Sequence, residues 1–354
     1  MRILVTGGTG FVGSHSVAAL VAAGHEVRLL VRSPERIAPA LGPLGVTETV
    51  GHVVGDITDP DSVRRALAGC DAVLHAAAVY DLDSRSHGAI NRTNAAGAAN
   101  VLRAAVAQGC DPVVHVSSSV ALLHRGATST PDSALSASRG AYARSKVASE
   151  AVARELQGHG APVVIVQPGG VLGPHDPHRG DQTGRVRNIL RGQYPMWPSG
   201  GSHAVDVRDV AEVHAAVMTP GRGPRRYLVP GHHVDGRLMF ATLRAVTGRR
   251  LPCLFLPAGL ILPVAWVASG AQRVIPFHLP LEYEGALIYR FDTRYDDSRA
   301  RQELGVLPRP LAATYADTVR WLHETGQLTD RQAGAAVNPS EDAHPRSRPS
   351  TADR

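Results

Sequence analysis

Three glycines, Gly7, Gly10 and Gly13, stand between a short apolar run, Arg2–Thr6, and the start of a helical pattern. Few local features restrict a fold as much. The first glycine permits a tight turn, the second lets the backbone approach a pyrophosphate, and the third lets a helix pack closely on a strand. The helix start then offers its free amides to phosphate oxygens. A cradle of this kind at residue 7 predicts a parallel α/β sheet that binds a dinucleotide.

The following chain fits that expectation. Strands are expected at Arg2–Thr6, Glu26–Val31, Thr49–Val54, Ala72–His75, Pro112–Ser117 and Val163–Gln167, and helices at Gly13–Ala23, Pro60–Ala68, Ile90–Gln108 and Ala141–Gln157. The alternation is that of βαβ units, and strands of Val, Ile and Leu without polar alternation belong in a sheet covered on both faces. After Pro168 the chain turns to Gly, Pro, His and Arg and reads as a loop region to Gly201. Ala204–Met218 reads as a strand and helix rejoining the main sheet, and Arg226–Val229 as another strand. The expected organisation is a dinucleotide-binding domain over 1–171, rejoined by 203–231, with a substrate region and smaller, mainly helical cap over 172–329 and an unstructured tail over 330–354.

Composition narrows the partners. With 354 residues, of which 44% are hydrophobic, the chain has ample core and needs neither disulfides nor a structural metal. The formal charge is +6, yet the basic residues are thinly spread, without a Lys/Arg run or interleaved aromatics, which argues against nucleic acid. Cys70, Cys110 and Cys253 are far apart and never form C-x-x-C, pointing to a reducing compartment. Met1 leads straight into a strand without the blocks of a secretory signal, so a cytoplasmic location is expected. No charged residue occurs between Arg250 and Arg273, but Pro252, Pro257 and Pro263 interrupt the segment, and a bilayer span needs about 20 uninterrupted apolar residues. A helix lining the substrate pocket is expected there in preference to contact with a membrane surface.

The central chemical signal is Tyr142-Ala-Arg-Ser-Lys146, where i and i+4 share one helix face. An ammonium beside a phenol favours the phenolate and makes the tyrosine a usable proton donor and acceptor. Of the 37 Lys and Arg residues, Lys146 is the one lysine, which implies that a compact, tunable ammonium is needed there. Upstream, Ser117-Ser-Ser119 ends a strand; Ser119 is the candidate to hold a substrate oxygen, with Ser117 and Ser118 nearer the cofactor. At the end of the second strand, Val31 and Arg32 occupy the place where a carboxylate would bind an adenosine ribose. A guanidinium there suits a 2′-phosphate, so NADP(H) is expected, with NAD(H) the alternative. Asp56 and Ile57 are candidates for the adenine side, with helix capping by Asp56 or Asp59 the other option. His175, His178, His232 and His233 lack metal-ligand spacing and read as loop residues, and Asp206 and Asp209 as caps or anchors.

Taken together, these motifs resemble the extended short-chain dehydrogenases/reductases of the NAD-dependent epimerase/dehydratase family. The similarity is carried by Thr6-Gly-Gly-Thr-Gly-Phe-Val-Gly, Gly55-Asp-Ile-Thr-Asp, His75-Ala-Ala-Ala, Asn94-Ala-Ala-Gly, Val116-Ser-Ser-Ser, Tyr142-Ala-Arg-Ser-Lys, Pro168-Gly-Gly-Val-Leu-Gly-Pro, Val205-Asp-Val-Arg-Asp and Asp296-Asp-Ser-Arg-Ala-Arg-Gln-Glu-Leu-Gly, in that order. It looks nearest to the dihydroflavonol-4-reductase and 3β-hydroxysteroid dehydrogenase branches. The resemblance implies a doubly wound Rossmann sheet and a Ser119, Tyr142 and Lys146 centre, with Lys146 also binding the nicotinamide ribose. It further implies cofactor contacts from Gly7, Thr9, Gly10, Phe11, Val12, Gly13, Arg32, Asp56, Ile57, Ala76, Ala77, Ser117, Tyr142, Pro168 and Val171, and a homodimer paired through the helices at Ile90–Gln108 and Ala141–Gln157.

The expected activity is NADP(H)-dependent interconversion of a carbonyl and a secondary alcohol on a small apolar substrate. Two rivals use the same fold. A nucleotide-sugar epimerase or dehydratase would hold its dinucleotide permanently and need phosphate-binding residues, for which Arg185, Arg187 and Arg191 are available. A nonenzymatic NADP(H) sensor would not need Tyr142 and Lys146.

Overall fold

The structure, a computed structural model, describes residues 1–78, 87–138, 140–261, 263 and 283–337. The chain begins with β1 (Arg2–Thr6), α1 (Phe11–Ala22), β2 (Glu26–Val31), α2 (Ile37–Leu41), β3 (Val50–Val54) and α3 (Pro60–Leu67). It continues through β4 (Ala72–His75), α4 (His87–Ala107), β5 (Val113–Val116), β6 (Thr128–Ser129), α5 (Ala141–Gly158), β7 (Val163–Gln167) and β8 (Gly170–Leu172). Next come α6 (Asp181–Leu190), β9 (Met196–Pro198), β10 (Gly201–Asp206), α7 (Val207–Ala216), β11 (Arg225–Leu228), β12 (His232–Asp235) and α8 (Gly236–Thr247). The last elements are β13 (Leu254–Leu256), α9 (Tyr283–Phe291), β14 (Arg294–Tyr295), α10 (Ser298–Leu304), α11 (Leu311–Glu324) and α12 (Asp330–Ala333).

Seven parallel strands form the central sheet in the order β11-β7-β5-β4-β1-β2-β3. Every residue of β4, β5 and β7 is buried, as expected for apolar strands covered on both faces. One face packs Val5, Leu29 and Val114 against Val17 and Leu20 of α1 and Val210 and Val213 of α7. The other packs Leu4, Val73 and Ile165 against Val63 of α3, Val101 and Leu102 of α4 and Ala153 of α5. Because all strands run the same way, their carboxyl ends share one edge, and the strand order reverses between β1 and β4. A crevice at that point is where such sheets take ligands.

A second core holds the cap together: Val186 and Ile189 of α6, Trp197, Phe240 and Leu243 of α8, and Tyr315, Val319 and Leu322 of α11. Asp206 and Asp235 cap α7 and α8 by accepting the Arg208 and Leu238 amides at 2.8 and 2.7 Å.

Three expectations change. Gly201–Asp206 does not rejoin the main sheet; β10 pairs with β8 and β12 in a separate three-stranded sheet, because β11 occupies the place beside β7. The helix after it, α7, does return, lying on α1 with Ser16 Oγ and His214 Nδ1 2.7 Å apart. The tail expected from Asp330 begins instead with α12, whose capping box joins Thr329 and Gln332; residues 338–354 lie outside the described residues. In the apolar segment after Arg250, Leu254–Leu256 is a strand paired with β9, and residues 264–273 lie outside the described residues. No described helix is long and apolar enough to cross a membrane.

Candidate active site

The glycine cradle sits at the carboxyl edge of β1. Gly7 has φ +76°, and a Cβ there would come within 2.6 Å of the Ala77 amide nitrogen, so Gly7 lets the turn press against the strand exit at Ala76 and Ala77. A Cβ on Gly13 would collide with the Gly7 carbonyl. Gly10 differs: its Cβ would meet only the Gly7 carbonyl, at 3.2 Å, so its outer side is open to a ligand. Gly10 is also the N-cap of α1 and no side chain caps that helix, leaving the first-turn amides of Phe11, Val12 and Gly13 without partners inside it. Thr9 is half-buried in the same turn. An open glycine backbone under an uncapped helix N-terminus fits a pyrophosphate.

The neighbouring strand ends supply the remaining expected groups. Arg32 is exposed just past β2 and has no hydrogen-bond or ion-pair partner among the described residues. Past β3, Asp56 accepts from the amide and hydroxyl of Thr58, both at 2.8 Å. Ile57 lies against α4 at Gly97, where an added Cβ would meet its Cδ1 at 2.5 Å. Asp59 is the cap of α3, accepting from Asp61 N at 3.0 Å. Pro168 follows β7, and Val171 in β8 is half-buried against the sheet core.

The three serines after β5 have separate fates. Ser117 turns inward and its hydroxyl donates to Glu150 Oε2 at 2.5 Å, which commits it to α5. The Ser118 oxygen accepts the Val120 amide at 3.3 Å and caps the single 3₁₀ turn Ser119–Leu122. Only the Ser119 hydroxyl is committed to neither task. Its backbone is held on both sides, the amide donating to the Pro168 carbonyl at 2.8 Å and the carbonyl accepting from the Tyr295 phenol at 3.0 Å.

On α5, the Lys146 ammonium lies over the half-buried Tyr142 ring, 6.0 Å from its centroid. Lys146 is 8% exposed, and burial pulls its pKa down from 10.5 to about 8 against the opposing pull of Glu150. His75 and His115 stack beneath this helix with centroids 5.7 Å apart. Burial, and then the charge of Lys146, push His75 down to about 3. Burial, then His75 and Lys146, push His115 down as well. Both imidazoles are therefore neutral, and His75 Nδ1 is 2.7 Å from Thr6 Oγ1.

Glu150 carries no motif signal of its own beyond its spacing, i+4 from Lys146 and i+8 from Tyr142 on the same face. It is fully buried and joins three elements, accepting from Ser117 after β5, from Gln167 Nε2 in β7 at 2.8 Å and from Arg154 Nε in α5 at 2.9 Å. This hub fixes the rotation of α5 on the sheet, and with it the aim of Tyr142 and Lys146. Glu150→Ala removes the acceptor shared by the buried Ser117 and Gln167 side chains and the ion-pair partner of the partly buried Arg154, which keeps the Ser133 and Pro131 carbonyls, so a loss of about 2–3 kcal/mol is expected. Urea unfolding reads it; a loss under about 1 kcal/mol, the size of a surface pair, would remove the hub from the account of α5.

The cap arginines have structural partners. Arg187 donates to Asn188 Oδ1 at 3.1 Å and to Gln327 Oε1 at 3.4 Å, and Arg191 donates to the Gln327 carbonyl at 2.7 Å. Arg185 lies over Trp197 and Tyr289, 5.5 and 5.7 Å from their ring centroids, and donates to Gln182 at 2.9 Å. The loop histidines go separate ways: His232 Nε2 is 2.8 Å from the Arg309 carbonyl, His233 Nε2 is 3.1 Å from Asp292, and the His175 ring faces His15. Asp209 anchors Arg309 by accepting its amide at 2.8 Å, and Asp206 ties α7 to α11 by accepting from Thr314 at 2.8 Å.

The comparisons with known proteins agree with this architecture. The sequence profile of the NAD dependent epimerase/dehydratase family matches residues 3–229. A Synechocystis protein named for dihydroflavonol 4-reductase is 32% identical over 92% of this chain and 95% of its own. The sterol demethylase protein B of Methylococcus capsulatus is 31% identical over 93% of this chain and 100% of its own. Among solved structures, the dTDP-glucose 4,6-dehydratase DesIV of Streptomyces venezuelae, with NAD and TYD bound, superposes with a TM-score of 0.71 and 26% identity, covering 92% of this chain and 97% of that one. The chain belongs to the NAD dependent epimerase/dehydratase family and is an enzyme of its extended short-chain dehydrogenase/reductase kind.

Proposed function

We propose that the protein is an NADP(H)-dependent oxidoreductase that interconverts a carbonyl and a secondary alcohol on a small apolar substrate. The observation that carries this is the pairing on α5: a buried ammonium over the Tyr142 ring, at the same sheet edge as a serine whose hydroxyl is taken neither by Glu150 nor by the capping of the turn. The bound nicotinamide supplies or accepts the hydride. Tyr142 gives its phenolic proton to the substrate oxygen in reduction and takes it back in oxidation, and Ser119 holds that oxygen by a hydrogen bond. Lys146 stabilises the phenolate form of Tyr142 and binds the nicotinamide ribose. The Gly7–Gly13 turn and the α1 amides take the pyrophosphate, and Ala76, Ala77, Asp56 and Ile57 border the nucleotide.

The substrate class follows the relatives named for a dihydroflavonol reductase and a sterol-processing protein. The epimerase alternative needs free phosphate-binding arginines in the cap, and Arg187 and Arg191 are instead bonded to Gln327. Thiols at Cys70, Cys110 and Cys253, all free, accord with a cytoplasmic location. Pairing of two copies through α4 and α5 belongs to the same proposal.

The test is a panel of carbonyl compounds, including a dihydroflavonol and a 3-oxosteroid, with NADPH or NADH, following the absorbance of the reduced cofactor. Consumption with at least one panel member is expected; none with any member rejects the reductase assignment. Cofactor choice is tested separately. Loss of charge-assisted hydrogen bonds in Arg32→Ser is expected to weaken NADPH binding about 10–100-fold and leave NADH binding unchanged. An equal effect on both nucleotides, or on neither, would detach Arg32 from the 2′-phosphate.

A further inference from the structure

Ser119 and Tyr295 are 176 positions apart in sequence, and their contact is made by the cap returning to the sheet edge. Tyr295 lies in β14, which pairs in parallel with β6 so that Tyr295 stands opposite Ser129. Its phenol donates to the Ser119 carbonyl at 3.0 Å, and the hydroxyls of Ser119 and Thr293 are further hydrogen-bond neighbours of the same oxygen. Thr293 is itself clamped, accepting from the His124 amide at 3.1 Å and donating to the His124 carbonyl at 2.9 Å. On the opposite side, the His203 ring packs 5.3 Å from that of Tyr295 and is fixed 2.9 Å from the Val229 carbonyl.

We propose that Tyr295 is a positioning residue for the active-site serine: from the cap it holds the 3₁₀ turn that starts at Ser119 and so aims the Ser119 hydroxyl at the substrate oxygen. The proposal rests on the assignment of Ser119 above. The far end of the turn is tied separately, the Ala121 carbonyl accepting from the Ser136 amide at 2.8 Å and the Leu122 carbonyl from the Ser129 hydroxyl at 2.7 Å, but its first residue, held only by the Ser119 amide, could pivot about that bond. With its carbonyl also gripped it cannot, and a misplacement of about 1 Å at a reacting centre is enough to cost about 100-fold in rate. Burial pushes the Tyr295 phenol up to about 12, so it remains a donor throughout the working range and does not share the proton-transfer task of Tyr142. The arrangement also couples the cap to the catalytic turn, since the strand that brings Tyr295 follows α9 of the cap directly.

The experiment is a double-mutant cycle of Tyr295→Phe and Ser119→Ala in the full chain. Turnover is measured with NADPH on the dihydroflavonol, the 3-oxosteroid and an activated aromatic 1,2-dicarbonyl, alongside NADPH binding by fluorescence and urea unfolding. Tyr295→Phe keeps the ring and its packing and is expected to lower kcat about tenfold, the loss of one hydrogen bond. KM and NADPH affinity should stay unchanged, which a merely structural role would not predict. In the Ser119→Ala background the same substitution should change kcat by less than about twofold. Unchanged kcat in Tyr295→Phe, or the same tenfold loss in both backgrounds, overturns the positioning role. Full activity in Ser119→Ala removes the assignment of Ser119 and this role with it, and absence of turnover by the unsubstituted protein on all three probes overturns both at the level of the reductase. If Tyr295→Phe does not fold, 4-fluorophenylalanine placed at position 295 fills the place of the hydroxyl but has no donor. The same tenfold loss of kcat with NADPH affinity kept is then expected, and an undiminished kcat overturns the role.

Discussion

Tyr142→Phe is expected to lower turnover by about 10²–10⁴-fold, the range supplied by a positioned general acid or base, and to leave NADPH binding intact. The phenylalanine keeps the ring under the Lys146 ammonium, which lies 6.0 Å from the centroid, so α5 is not disturbed. What disappears is the proton that must reach the substrate oxygen as hydride arrives at carbon. Fluorescence of bound NADPH and single-turnover absorbance separate the two effects. A variant that binds NADPH normally and still turns over at an undiminished rate would move the proton transfer to another residue, and the reductase mechanism set out here would fall.

Lys146→Met is expected to do two opposite things. Turnover should fall about 100-fold or more, because the phenol loses the charge that makes it acidic. Stability should rise. The fall of the Lys146 pKa from 10.5 to about 8 corresponds to about 3 kcal/mol that the folded protein forgoes to keep this charge buried. The pH window follows from the direction of that shift. Below about pH 8 both states carry the proton and the penalty is complete. Between about 8 and 10.5 the unfolded chain binds more protons than the folded one, so stability climbs with pH; above 10.5 the penalty is gone. Methionine of similar length fills the space without a charge. Unfolding in urea without nucleotide should therefore show Lys146→Met ahead of the unsubstituted protein at pH 7, by less at pH 9.5. A variant that is less stable at pH 7, or ahead by the same margin at both pH values, would mean that Lys146 is not held at a cost.

Glu150 opposes that cost without removing it. Its carboxylate raises the Lys146 pKa but is fully buried and already engaged by Ser117, Arg154 and Gln167. The ammonium thus remains the adjustable charge of the site, with His75 and His115 neutral behind it. A bound nucleotide that hydrogen-bonds the ammonium would favour its charged form, so the alkaline limit of activity should lie higher in the complex than in the free protein.

Much of this site was legible from short stretches of chain. The cradle at Gly7, Gly10 and Gly13 follows from a turn in which Gly7 takes a positive φ and a Cβ on Gly13 would meet the Gly7 carbonyl, and constraints within seven residues need no distant information. Tyr142 and Lys146 share a face because helical periodicity alone puts them there, and all seven strands of the main sheet run within one residue of the expected bounds because apolar β-branched runs mark themselves. The course of Gly201–Asp206 was not legible: its pattern suits any half-buried strand, and only competition with Arg225–Leu228 for the place beside β7 sends it to a separate sheet.

The chain's own order of residues determined the fold class, the nucleotide cradle, the Tyr142 and Lys146 pair and the exposed guanidinium at Arg32, since each depends on groups a few positions apart whose geometry the backbone sets. Tertiary structure alone decided which of three adjacent serines is spared both the Glu150 contact and the capping of the turn, how far the Lys146 charge is weakened, and that Arg187 and Arg191 serve packing. Those outcomes depend on partners such as Glu150, Tyr295 and Gln327, brought from 33 to 176 positions away. Desolvation and competition for hydrogen bonds are set by everything that surrounds a group at once, and no local spacing encodes them.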